Sequence, residues 1–203
     1  PPIPGETRDR FAVLRALREL GYEVGSGVMV GIPGQSREIL ADDLLRFVEL
    51  GLDMVGVGPF VPSPATPLGK HPEHFVLPAA EQVPADETMA YKVLALTRLL
   101  RPYGNHPSTT ALATVDRANG RRSGLQRGAN VVMPNITPAR YRAAYEIYPA
   151  KACLSTDDEA VLRGLHEQIR ALGREPGFGR GDSKSILARR EHGAADAQQE
   201  TTR

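Results

Sequence analysis

Within its first sixty residues the sequence passes twice from a helical to a strand-like hydrophobic period, and that alternation leaves few folds open. Thr7 to Leu20 carries Val13, Leu14, Leu17 and Leu20 at helical spacing, with Thr7 placed as N-cap and Gly21 as stop. Tyr22 to Val30 reads as a strand rich in glycine (Gly25, Gly27, with Gly31 just beyond). After the turn Ile32-Pro33-Gly34-Gln35, Ser36 caps a second helix to Leu50, with Leu40, Leu44, Phe47 and Val48 on its buried stripe. Asp53 to Gly58, DMVGVG, is a short and nearly all-apolar strand of the kind covered on both faces. Parallel strands need a crossover between them, and a helix of this length supplies it. The expectation is an α/β fold built from βα units on a parallel sheet.

The pattern then loosens. Phe60 to Pro84 is long, proline-rich and without periodicity, which marks a functional or disordered loop. Ala85 to Leu100 reads as a third helix, Thr109 to Thr114 as a short strand, and the segment after Gly120 as a short helix ending at Arg127. An apolar stretch from Asn130 to Met133 follows, then a helix from Pro138 to Tyr148. A last helix covers Asp157 to Leu172, with Val161, Leu162, Leu165 and Ile169 as its stripe. The tail from about Gly193 is small and polar and reads as disordered. About three strands stand where a closed (β/α)8 barrel needs eight and about 250 residues. The simplest account makes residues 1–172 the C-terminal part of a TIM-type barrel, with further strands upstream, and 173–203 an extension. The opening Pro1-Pro2-Ile3-Pro4-Gly5 lacks an initiator Met, which fits a processed or truncated chain.

Charge and cysteine content exclude several classes. Lys and Arg number 25 against 24 Asp and Glu, so the chain lacks the basic excess of a nucleic-acid binder. There is no bilayer-length apolar run and no signal pattern, which makes a cytoplasmic address the default and a membrane role unexpected. A single cysteine, Cys153, allows no internal disulfide and no thiolate cluster; its simplest role is that of a small buried hydrophobe. His71, His74, His106, His166 and His192 show no metal-ligand spacing, and His71 and His74 are expected in solvent on the long loop.

Four stretches in order carry a resemblance: ELGYEVGSGVMVGIPGQ, DDLLRFVELGLDMVGVGPFVPSPATPLG, STTALAT and GLQRGANVVMPNITPARYRAAYEIYPAKAC. From about Thr7 to Cys153 they resemble the radical S-adenosylmethionine (radical SAM) enzymes of the HydE, or FeFe-hydrogenase maturase, family, and more loosely biotin synthase and methylornithine synthase. The resemblance implies a barrel whose CxxxCxxC motif holds a four-iron four-sulfur cluster that cleaves S-adenosylmethionine to a 5′-deoxyadenosyl radical. That motif is absent here, and Ser155 to Leu172, where some members carry an accessory cluster, has no cysteine. The implied substrate is a small organometallic or amino-acid-like molecule, and the implied partners are other hydrogenase maturation proteins.

Arg10 lines up with Val13, Leu14 and Leu17 and is expected to point inward from the first helical turn, where the helix dipole disfavours a cation. An inward arginine there calls for an anion. The resemblance matches Arg10 to the arginine that holds the carboxylate of S-adenosylmethionine; a surface salt bridge is the ordinary alternative. The glycine strand resembles the one passing near the adenine, although tight barrel packing explains it as well; with no GK[ST] after it, it is no P-loop. By resemblance Met54, Pro59 and Val61 line the adenosyl pocket, whereas a bare Met or Val is more often core. Thr109 and Thr110 match the substrate region, with ordinary strand residues as the alternative. Met133 and Asn130 are candidate cavity lining. Tyr141, Tyr145 and Tyr148 share one helical face; the resemblance assigns Tyr145 and Tyr148 to the active site, and Tyr141 is left to the core.

Two classes of function remain open at this point. One is a radical SAM enzyme of hydrogenase maturation, or of the biotin synthase or methylornithine synthase kind, whose cluster ligands lie outside this chain. The other is a catalytically inactive half-barrel that serves as a binding module.

Overall fold

The computed structural model describes residues 9–135, 137–142, 144 and 158–191. Four strands, β1 (Gly25–Val30), β2 (Met54–Pro59), β3 (Pro107–Ser108) and β4 (Val131–Val132), pair in sequence order, all parallel. Between them run α1 (Arg10–Glu19) before β1, α2 (Arg37–Glu49), then α3 (Pro67–Lys70) and α4 (Glu87–Leu100) after β2, and α5 (Thr110–Val115) with α6 (Gly120–Gln126) after β3. After β4 come α7 (Ala139–Arg142), α8 (Asp158–Ala171) and a helical segment at 184–191, α9. Among the described residues no helix is long and apolar enough to cross a membrane.

The core lies on one face of the sheet. Along β2 the side chains alternate: Val55, Val57 and Pro59 are buried, and Met54, Gly56 and Gly58 half-buried. Val55 and Val57 pack with Leu40, Leu44 and Phe47 of α2 and with Val93 and Leu94 of α4. The expectation that DMVGVG is covered on both faces is thus met on one face among the described residues. β1 stands at the edge of the sheet, and Met29 on it is 53% exposed. For the same reason α1 holds no buried residue and Val13 is half-exposed, while Leu14 and Leu17 reach the core only in part.

Other expectations shift locally. Asp9 caps α1, its carboxylate accepting from the amides of Phe11 (2.9 Å) and Ala12 (3.1 Å); Thr7 lies outside the described residues. Ser36 caps α2 as expected, its hydroxyl accepting from the Ile39 amide, whereas Val48 on that helix is 41% exposed. The strand expected at 109–114 is a helix. β3 ends at Ser108, and the Thr109 hydroxyl caps α5 by accepting from the Leu112 amide at 3.3 Å. Threonine serves a strand and an N-cap equally well as a residue type, and the hydrogen bond decides for the cap. The long loop is folded back on the sheet: Gln82 accepts from the Gly34 amide (3.0 Å) and donates to the Ile32 carbonyl (3.2 Å), closing it over the β1–α2 turn. Part of the helix expected at 138–148 and the tail from 193 lie outside the described residues.

The base of the sheet is tied together by one carboxylate. Asp53, immediately before β2, is fully buried and accepts from the Val24 amide (2.9 Å), the Ser185 hydroxyl (2.8 Å) and Arg18 (3.3 Å), while one Arg189 nitrogen reaches both of its oxygens at 2.7 Å. Burial pushes its carboxyl up, but the Val24 amide, Arg189 and Ser185 more than offset this and hold it below the ordinary 3.8. Around it the segment 174–191 passes under all four strands. Ser183 donates its amide to Glu23 (2.8 Å), Asn105 donates to the Gly181 carbonyl (2.8 Å), and Arg174 donates to the Ala129 carbonyl (3.0 Å). Asp53→Ala leaves the Arg189 and Arg18 charges and the Val24 amide without their acceptor, and is expected to cost about 3–5 kcal/mol in denaturant unfolding. Because the folded-state pKa is depressed, this stabilisation is present in full above 3.8 and is lost as pH falls below that value. The parent should therefore lose stability on acidification through that range, and the Asp53→Ala variant should lose less.

Candidate functional site

Parallel strands place all their C-terminal ends on one edge, and side chains alternate between the two faces of each strand. On the face turned away from the helices, register aligns Gly25 with Met54, Gly27 with Gly56, and Met29 with Gly58. Glycine at every second position in both strands leaves bare backbone there. Gly27 lies so close to its neighbour that a Cβ would overlap the Gly56 carbonyl, and a Cβ on Gly58 would sit 2.8 Å from the Thr109 hydroxyl. Gly56 differs: its nearest neighbour would be the Ser26 carbonyl oxygen at 3.9 Å. The face therefore has a recess at Gly56, walled by Met54 below and by Thr109 beside Gly58 above. The period-two glycine pattern is written in VGSG and VGVG.

The C-terminal edge collects Val61, Thr109, Thr110 and Met133. Val61 is half-buried just past β2, Thr109 and Thr110 are half-buried at the start of α5, and Met133 is 43% exposed past β4. The Thr109 hydroxyl is engaged locally, since it also donates to the Val57 carbonyl at 3.4 Å. Met54 stands at the other end of β2, about 20 Å from Val61 along the strand. Pro59 falls on the helix-covered face and is buried, paired with Val30, so it does not line the recess. Arg10 is exposed, not turned inward, because nothing among the described residues covers that side of α1 and β1. Tyr145 and Tyr148 lie outside the described residues, as does Cys153. Tyr141, expected in the core, is 52% exposed with the Arg140 guanidinium 4.7 Å from its ring centre.

Asn130 lines a cavity between β4 and the 162–182 segment, with Asn105, Leu165 and Phe178. Its carbonyl accepts from the His106 amide and from Arg98, both at 2.8 Å, and its amide donates to Asn105 at 3.1 Å, bracing the opposite end of the strands. His106 beside it is fully buried, with Nε2 2.9 Å from the Arg101 carbonyl. Burial first, and the nearby Arg98 and Arg101 charges with it, push its pKa down, so it stands neutral at the base of the sheet. A grouping that histidine spacing alone did not reveal lies on the loop after β2. There His71, Glu73 and His74 are all exposed and bring their ligating atoms within 4.8 Å of one another. The missing signal was the carboxylate between the two histidines.

No family model matches the chain. The [FeFe] hydrogenase maturase subunit HydE of Thermotoga maritima is 44% identical to it over 179 residues, 88% of this chain and 48% of that protein. Biotin synthase of Desulforudis audaxviator is 33% identical over 118 residues, 58% of this chain and 30% of that protein. The chain thus spans less than half the length of these curated relatives.

The two strand glycines should respond differently to a methyl group. Gly27→Ala forces β1 away from β2 and is expected to cost about 1–3 kcal/mol. Gly56→Ala enters open space and should stay within about 0.5 kcal/mol of the parent. Urea unfolding of the two variants side by side measures the difference, and equal losses would mean that the recess at Gly56 is packed.

Proposed function

The chain belongs to the radical SAM family as a relative of HydE and biotin synthase, and from that membership we propose that the protein carrying it is a radical SAM enzyme of [FeFe]-hydrogenase maturation. The observation behind this reading is the longer and stronger match to the maturase, 44% over 88% of the chain, against 33% over 58% for the synthase. The four parallel strands are then part of a TIM-type barrel whose C-terminal edge holds the chemistry, as in barrels of this kind.

The two cofactors fit these residues differently. A four-iron four-sulfur cluster is held by several cysteine thiolates, and the chain has one cysteine. These residues do not fit it, and we place its ligands in another part of the protein. S-adenosylmethionine fits better: the open backbone at Gly56 would accept a flat ring, with Met54 as an apolar contact on that strand, and Val61 would bound the other end of the cofactor past the strand. When bound, it would supply the adenosyl group for a radical reaction. The chain's own contribution is binding and orientation. Arg10 would meet the carboxylate of the cofactor, and Thr109 and Thr110 would bound the substrate space with Met133. Tyr145 and Tyr148 would orient the substrate or relay a hydrogen through their phenols. We assign a small organometallic or amino-acid-like substrate, contact with other maturation proteins, and a cytoplasmic address to the same reading.

Complementation separates the two enzyme classes. The gene for the longer protein, introduced into a hydrogenase-competent host lacking its own HydE-type maturase, is expected to restore hydrogen evolution; introduced into a biotin auxotroph lacking biotin synthase, it should not restore growth. The opposite pattern would assign the chain to biotin synthase chemistry. No rescue in either host would favour an inactive binding module.

Arg10 gives a finer test in the longer protein. A guanidinium that meets the carboxylate of S-adenosylmethionine contributes on the order of 2–5 kcal/mol when truncated. Arg10→Ala should weaken S-adenosylmethionine binding at least about tenfold, since 1.4 kcal/mol is about one decade. Arg10→Lys should recover only part of this, because an ammonium lacks the bidentate fork. Equilibrium dialysis reads the effect, and unchanged binding in Arg10→Ala would leave Arg10 as a surface cation.

A further inference from the structure

We propose that His71, Glu73 and His74 form a binding site for a late first-row divalent metal ion, Zn²⁺ being the reference case, on the loop between β2 and α4. The backbone arranges the three ligands. His71 closes α3, its amide donating to the Pro67 carbonyl at 3.0 Å, and Pro72 to His74 form a single 3₁₀ turn. Three residues per turn put positions i and i+3 on the same side, so His71 and His74 stack their rings, with centroids 5.2 Å apart and planes 12° from parallel. Pro72 fixes its own φ, and its carbonyl accepts from the amides of Phe75 (2.9 Å) and Val76 (3.1 Å), which anchors the far end of the turn.

Glu73 reaches a nitrogen of both rings. Its Oε1 is 3.2 Å from Nδ1 of His71 and 3.9 Å from Nε2 of His74. Bonds of about 2.0–2.1 Å in a tetrahedral zinc site place neighbouring ligand atoms about 3.3 Å apart. Of the three separations, His71–Glu73 already meets that spacing, Glu73–His74 closes by about half an ångström, and the two imidazoles, with ligating atoms within 4.8 Å, must turn out of their stack to aim both lone pairs at one ion. All three side chains are exposed, so rotation can supply this without disturbing the core. The donor set identifies the ion class. Two imidazoles and one carboxylate suit Zn²⁺, Ni²⁺ or Cu²⁺, whereas Mg²⁺ and Ca²⁺ want oxygen ligands throughout. Three protein ligands leave a fourth position for water. The loop leaves β2 at its C-terminal end, so the ion would sit on the same rim as Val61 and would pin the 71–74 turn there. This inference is independent of the radical SAM reading.

The full chain, prepared without an affinity tag, is titrated with ZnCl₂ by calorimetry and by imidazole NMR. The expected result is one ion per chain, with the His71 and His74 resonances shifting while those of buried His106 stay in place. His71→Ala and His74→Ala should each weaken Zn²⁺ binding at least about tenfold, since even loss of an outer-shell partner costs that much. Both substitutions are on the surface, and unchanged far-ultraviolet circular dichroism verifies the fold. MgCl₂ at the same concentration should leave the two resonances unmoved. No binding by the parent chain, or an affinity preserved in the His71→Ala/His74→Ala double variant, overturns the proposal.

Discussion

The arrangement of the sheet depends on a buried carboxylate. Asp53 precedes β2, yet its oxygens hold the last residue before β1 through the Val24 amide, α1 through Arg18, and the C-terminal helix through Ser185 and Arg189. Those groups come from positions more than a hundred residues apart in the chain. Removing a carboxylate from water is costly, and that cost is offset here by hydrogen bonds and two guanidinium charges converging on it. The C-terminal segment follows from this anchor: once α9 is held at Asp53, residues 174–183 are drawn beneath the starts of β1, β3 and β4. One end of the sheet is thereby closed by polar contacts.

The two faces of the sheet differ. Toward the helices, valines and leucines interlock. On the opposite face, alternating glycines leave backbone bare. The glycines do not share one role. At Gly27 the missing side chain lets two strands approach, and at Gly56 it leaves a recess. The long loop continues the same edge, folded back by Gln82 and carrying the His71–Glu73–His74 turn outward.

Much of the architecture was legible in the sequence because two different hydrophobic periods alternate in it. Helices α1, α2, α4 and α8 appear close to where the spacing of Leu14 and Leu17, Leu40 and Leu44, Leu94, and Leu165 puts them. β3 and β4 were harder, since two-residue strands carry no period; the Thr109–Thr114 segment was assigned to a strand on residue type and is a helix held by a hydroxyl cap. The site candidates rest chiefly on resemblance. Residue type alone could not separate Met54 on the open face from Pro59 on the covered one, because a shift of one residue along a strand reverses the face.

By itself, the sequence determined the α/β class, the helices and strands of its first sixty residues, the family resemblance, and the lack of cysteines for a cluster. Those properties are written in local periodicity, in ordered motifs and in composition, none of which requires knowing where a distant residue lies. Only the tertiary structure decided that Asp53 meets Arg189, that Asn130 both braces the base of the strands and lines a cavity beside α8, that Gly56 is open while Gly27 is filled, and that Glu73 reaches a nitrogen of each of two stacked imidazoles. Each of these depends on which groups converge in space and on the register of one strand against the next. Convergence of that kind is set by packing and hydrogen bonding across the whole sheet, and spacing along the chain does not encode it.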